Sequence, residues 1–197
     1  MSIGLIVTFK CSITRNTISL QHMKKLKTHE LNRIDISQFK STKKTPIIVI
    51  LDNIRSLNNV GSVFRTSDAF LIEKIYLCGI TATPPHKDIQ KTALGATDSI
   101  DWEYCKDTLQ LIQKLQNNKV KVVSIEQADQ STLLSEFALE TNQKYAVIFG
   151  NEVKGVQQSV VDASDYCVEI PQFGTKHSFN VSVSVGIVLW DLYQKIK

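Results

Sequence analysis

From Pro46 onward, short runs rich in β-branched residues alternate with stretches of helical period, and this alternation limits the fold more than any other feature of the chain. Strands buried on both faces read as unbroken apolar runs, and the helical stretches between them supply the crossovers that parallel pairing needs. The pattern predicts an α/β fold with a mainly parallel sheet flanked by helices. Residues 46–51 (PIIVIL) and 145–149 (YAVIF) read as buried strands, and 73–78, 119–125 and 166–170 read as further strands, the last stopped by Pro171. Residues 99–104 read as a short edge strand and 133–137 as a helical turn. Helices are expected over 59–70, over 107–117 through Leu109, Ile112 and Leu115, and over 181–195 through Val181, Val185, Val188, Leu189 and Leu192.

With 197 residues, 43% of them apolar, the chain can bury one sizeable core. Apolar stretches such as 47–51 fall far short of the roughly 18 residues of a membrane span. Residues 4–7 are too short for a signal-peptide core. Cys11, Cys78, Cys105 and Cys167 are widely spaced, which fits a reducing cytoplasm, and the four histidines lack metal-ligand spacing. No metal is expected.

Charge is uneven. Residues 1–50 carry nine Lys and Arg against Glu30 and Asp35, whereas residues 51–197 hold 14 basic against 17 acidic. A basic lead of this kind is either a solvated terminus or an arm that meets a polyanion. Met23 opens a basic stretch with Leu26 and Leu31 on one side, which reads as a short helix. Residues 1–22 read as an upstream extension that a start-codon choice would explain, and mass spectrometry of the natural N-terminus tests this. The expected division is an arm over 1–45 and a domain over 46–197.

Three segments carry more polar residues than structure alone demands. The first follows the strand at 46–51 and contains Asn58, Asn59, Gly61 and Arg65. One of the two asparagines is expected to cap the helix, and Gly61 implies that something approaches the backbone there. The second, Phe149-Gly-Asn-Glu-Val-Lys-Gly155, lacks the Lys-Ser/Thr of a phosphate loop, and no GxGxxG occurs anywhere, which disfavours Walker and dinucleotide-binding folds. Its plainer reading is a Gly150-Asn151 turn. In the third, a strand ends at Pro171, a loop carries Gly174, and Ser178 or Asn180 caps a helix with small residues at Ser182, Ser184 and Gly186.

Together these segments resemble the three signature motifs of the SpoU/TrmH class of the SPOUT superfamily, RNA ribose 2′-O-methyltransferases. The matching residues are Asn59, Gly61 and Arg65, then Gly150, Glu152 and Gly155, then Ile170, Pro171, Gly174, Ser178 and Asn180; Lys91–Ala96 also looks like a family segment. The resemblance implies a deep C-terminal trefoil knot (the α/β-knot), a homodimer and S-adenosylmethionine as cofactor. It implies cofactor contacts at Gly150, Asn151, Ile170, Pro171 and Phe179, with Arg65, Asn59, Glu152, Ser178 and Asn180 forming the catalytic group. Three positions depart from the pattern: Val153 and Leu71 replace usual glycines, and Phe179 replaces a usual leucine.

Methyl transfer to a ribose hydroxyl needs in-line alignment and removal of a proton. A guanidinium is a poor base. Arg65 is therefore expected to bind the phosphate beside the target ribose and orient the hydroxyl, with a phosphate oxygen assisting proton removal and Glu152 orienting polar partners or Arg65. The implied partner is RNA. Residues 1–45 offer no counterpart of the separate RNA-binding domain of many ribosomal members, which favours transfer RNA over ribosomal RNA. The alternatives are a SPOUT base methyltransferase, a catalytically silent RNA-binding module of the same fold, and a small-molecule α/β binding protein.

Overall fold

A computed structural model describes residues 24–197. The expected extension at residues 1–22 lies outside the described residues. The first described stretch, up to Arg33, forms a unit of its own. In place of the helix expected after Met23 it has a 3₁₀ turn, Thr28–Glu30, with Leu26 and Leu31 exposed. Glu30 reaches back to accept from the Lys27 N–H, a local contact that closes one turn without propagating it.

The second unit runs Ile34–Lys197, so the fold takes in residues that the sequence assigned to the arm. Helix α1 (Ile36–Ser41) opens with a capping box between Asp35 and Gln38 and buries Phe39. Lys40 pairs with Asp101, so part of the basic lead is engaged by the domain. There follow β1 (Thr45–Asp52), α2 (Leu57–Ala69), β2 (Ile72–Cys78), α3 (Lys87–Ala93), α4 (Ala96–Ser99), β3 (Trp102–Cys105) and α5 (Thr108–Asn117). The chain continues through β4 (Lys121–Ile125), β5 (Thr132–Leu133), β6 (Tyr145–Phe149), α6 (Gln158–Ala163), β7 (Tyr166–Glu169) and α7 (Val181–Ile196).

The seven strands form one sheet in the order β3-β2-β1-β6-β4-β7-β5, every pairing parallel. Alternation along the central strands feeds two cores. Ile47, Val49 and Leu51 of β1 face the side covered by α2, α3 and α7, with Val63, Phe64, Ile89, Val185 and Leu189. Ile48 and Ile50 face α5 and α6, with Leu111, Ile112 and Val160. Each such buried side chain contributes about 1.5–3 kcal/mol. The product is a three-layer helix-sheet-helix stack.

Four local expectations are corrected or extended. Residues 133–137 do close one helical turn, the Glu136 and Phe137 N–H groups donating to the Leu133 carbonyl, but a strand not expected there, β5, takes 132–133 by pairing with Val168 and Glu169. Residues 96–99 are helical, so the edge strand starts at Trp102. β4 starts at Lys121, because Lys119 takes a φ of 61° in the turn after α5. Helix α2 is capped by Ser56, not by Asn58 or Asn59, with the Asn59 N–H donating to its Oγ. What approaches Gly61 is the chain itself: a Cβ there would overlap the Ile89 carbonyl and the Thr92 hydroxyl of α3. Of the two replaced glycines, Leu71 does adopt the left-handed conformation, at a φ of 53°, whereas Val153 does not.

Candidate functional site

The loops after β1, β6 and β7 leave the sheet at the carboxyl ends of parallel strands, where a fold of this kind leaves room for a ligand. A latch joins the first two. Oε2 of Glu152 accepts from the Arg55 N–H at 2.9 Å, and Oε1 accepts from the Ser56 N–H at 2.9 Å and from the Asn59 amide at 3.2 Å. A carboxylate is favoured here because these N–H groups belong to the start of α2. Burial opposes its charge, but the Arg55, Ser56 and Asn59 donors outweigh that and hold its pKa below the usual carboxylate range. Asn151 adds a second tie, its side-chain amide donating to the Asn53 carbonyl at 2.7 Å.

The β6 loop is a tight hairpin. Asn151 and Gly155 exchange backbone hydrogen bonds of 3.0 and 2.8 Å, and the Asn151 Oδ1 accepts from the N–H groups of Val153 and Lys154. Both motif glycines are required by the chain's own packing. A Cβ on Gly150 would overlap the Gly155 carbonyl group, while Gly155 has a φ of 66° and lies against the Glu126 carboxylate. Glu126, just beyond β4, accepts from the Val156 N–H at 2.8 Å and so supports the hairpin from behind.

Between this hairpin and the loop after β7 lies a cleft of about 600 Å³. Of the sequence-derived residues, Gly150, Asn151, Glu152, Ile170, Ser178, Phe179 and Asn180 line it. Pro171 does not, although Ile170 and Gln172 on either side do. Asn180 caps α7, its Oδ1 accepting from the Ser182 N–H at 2.9 Å and the Ser182 hydroxyl at 2.6 Å. Ser178 and Phe179 lie exposed in the loop, which Gln127 ties down by donating to the His177 carbonyl at 2.7 Å.

Two members of the expected catalytic group stand apart from the cleft lining. Asn59 is buried and reaches the site only through Glu152. Arg65 is exposed on α2, with no hydrogen bond or ion pair among the described residues. Glu152 makes no hydrogen bond or ion pair with Arg65; the donors to its carboxylate come from residues 55–59. Sequence reasoning missed Glu126, Asn53 and Gln127. A lone carboxylate or amide after a strand carries no local signal, and only the spatial neighbours of these residues reveal what they hold.

Among the described residues no three side chains gather as metal ligands, and no helix is long and apolar enough to cross a membrane. The cleft does suit S-adenosylmethionine. Its volume falls in the usual range for such ligands, and its lining combines apolar groups (Ile125, Phe149, Ile170, Val181) for a base with carboxylates (Glu126, Glu169) for cationic groups.

Comparison with known proteins agrees with this geometry. The 23S rRNA (guanosine-2′-O-)-methyltransferase of Neisseria meningitidis is 27% identical over 144 residues, covering 73% of this chain and 56% of that protein. The chain therefore spans little more than half the length of that relative. Among solved structures, the AdoMet-bound rRNA methyltransferase from Sinorhizobium meliloti superposes with a TM-score of 0.73 at 23% identity, over 79% of this chain and 58% of that one. The A. aeolicus TrmH/SpoU tRNA modifying enzyme gives 0.72 at 22% identity, over 81% and 80%. The fold is that of these enzymes. The model of the SpoU rRNA Methylase family matches residues 46–190, and the chain belongs to that family.

Proposed function

We propose that the chain transfers a methyl group from S-adenosylmethionine to a ribose 2′-hydroxyl of RNA. The observation that carries this reading is the meeting of the second and third motif loops, from distant parts of the sequence, on one cleft, with the first motif segment tied to it by Glu152 and Asn151. Gly150, Asn151, Ile170 and Phe179 line the cofactor's place and Pro171 fixes the strand end beside it. S-adenosylmethionine supplies the electrophilic methyl group. Glu152 and Asn59 act as positioning residues, and Ser178 and Asn180 shape the loop over the cleft. Arg65 holds a phosphate next to the target ribose and orients the hydroxyl for in-line attack.

Because Arg65 stands outside the lining of its own cleft, the reading includes a homodimer in which a second copy brings cleft and guanidinium together. Supporting it, α7 exposes Val183 and Trp190, the latter 56% exposed, while Val181, Val185, Val188, Leu189 and Leu192 of the same helix are buried. The C-terminal trefoil knot belongs to the same reading and is consistent with β6 lying between β1 and β4. Transfer RNA is the proposed substrate and the cytoplasm the proposed location.

Mapping 2′-O-methyl positions in RNA from cells with and without the gene tests the function. Loss of one ribose methyl, restored by the purified protein with S-adenosylmethionine, supports it. Methylation of an RNA with a deoxyribose at the target position refutes it in favour of base methylation.

A further inference from the structure

Two cations flank the latch without a partner. Arg55 and Lys154 are exposed, and neither side chain makes a hydrogen bond or ion pair among the described residues. Elsewhere on the domain, Lys74, Lys121 and Lys144 each meet a carboxylate within 3.1 Å. The carboxylate that joins the two loops, Glu152, forms no ion pair with the Arg55 or Lys154 side chain; its donors are the N–H groups of Arg55 and Ser56 and the Asn59 amide.

The backbone beneath both side chains is fixed. The Arg55 N–H donates to Glu152 at 2.9 Å, the Lys154 N–H donates to Asn151 at 3.1 Å, and Asn151 ties the loops together through the Asn53 carbonyl. Long cationic side chains that start from anchored positions lose less freedom on meeting a ligand than they would on a loose loop. Lys154 lines the cleft, and the Arg55 N–H meets Glu152, which also lines it, so both residues stand beside it. A ribose presented to the cleft within an RNA strand carries a phosphate on either side.

The geometry points to Arg55 and Lys154 as a grip on RNA phosphates at the edge of the cleft, other than the one that Arg65 holds beside the target ribose. It rests on the proposed RNA substrate. Such contacts set register and affinity, not sequence preference. A guanidinium and an ammonium suit phosphate oxygens, the first as a two-pronged donor and the second as a point charge.

The test uses the full chain, with transfer RNA from cells lacking the gene as probe, over a series of salt concentrations. Arg55→Ala with Lys154→Ala should weaken RNA binding about tenfold at low salt and flatten the dependence of log affinity on log salt by about 1.4, two contacts at about 0.7 each on a single strand. The KM for RNA should rise, with the melting temperature unmoved, and Arg55→Ala alone should bind S-adenosylmethionine as the wild type does. Arg55→Lys with Lys154→Arg should keep the wild-type salt slope. If the wild type methylates the RNA and the double variant keeps its affinity and slope, the grip is refuted and the function stands. If the wild type transfers no methyl group to that RNA, the grip and the transfer-RNA substrate both fall.

Discussion

Glu152 and Asn59 are 93 residues apart in sequence and 3.2 Å apart in space, the Asn59 amide donating to the Glu152 carboxylate. The same carboxylate takes two backbone N–H groups at the start of α2, so one side chain fixes the relation of two motif loops. Its position in the family pattern invites a catalytic reading, but its geometry is that of a fastener.

Glu152→Ala removes the acceptor for all three donors. Leaving half-buried N–H groups unpaired costs about 1–3 kcal/mol, and each kcal/mol moves the midpoint about 2–4 °C in a chain of this size. Thermal melts should show a drop of several degrees, and calorimetry a weaker S-adenosylmethionine affinity. Glu152→Gln, which keeps one oxygen acceptor, should lose less of both. An unchanged melting point would remove the latch from the account.

The acid limb of stability should follow the same group. Glu152 and Asp165 both titrate below their ordinary values. Burial opposes their charge, and donors prevail: Arg55, Ser56 and Asn59 in one case, Val122, Gln116 and Lys121 in the other. With depressed folded-state pKa values, their contribution is complete above the unfolded carboxylate range and drains away as pH falls through it to the folded values. Urea melts from pH 7 to pH 3 should show a falling midpoint. In Glu152→Gln the fall should be shallower, and an equally steep fall would assign the acid sensitivity elsewhere.

Gly150→Ala places a methyl group on the Gly155 carbonyl. Backbone cannot yield as a flexible side chain can, so the substitution should cost about 1–3 kcal/mol and distort the hairpin that lines the cleft. Binding of S-adenosylmethionine should be lost while the far side of the sheet keeps its hydrogen-exchange protection. Gly174→Ala, with open space around its added Cβ, is the matched control and should change stability little.

Arg65→Ala should leave stability within about 0.5 kcal/mol, as for other exposed residues without partners, and should leave cofactor binding intact while abolishing methyl transfer. Equal loss of cofactor affinity would make Arg65 structural. Mixing Arg65→Ala with Gly150→Ala adds a sharper measurement. If Arg65 serves the partner's cleft, heterodimers recover activity that neither variant has alone. No recovery means each subunit uses its own arginine.

The sheet and its three site-bearing loops were legible because burial on both faces writes β1 and β6 as continuous apolar runs, and because motif residues cluster at their ends. Cap identity was not legible. Asn59 has the composition of a cap, but its amide is claimed by Glu152 from across the fold, which leaves Ser56 to cap α2. The stretch after Ser131 has a local turn pattern, and its two-residue strand exists only because β7 offers an edge. The same limit hid Glu126, whose value depends on a hairpin 30 residues later. Local period predicts elements; contacts between distant segments decide what their ends do.

The place of β6 has a consequence for how the molecule is made. Residues 45–105 supply β3, β2 and β1, residues 121–169 supply β4, β7 and β5, and Tyr145–Phe149 alone pairs with both groups. During synthesis the first three strands emerge with the edge of β1 open as well as that of β3, and β4 joins them only through β6. Such late, sequence-distant pairing is slow. Each newly made chain therefore spends time with the apolar edge of β1 uncovered, a window in which a chaperone or a neighbouring chain can compete for the place of YAVIF.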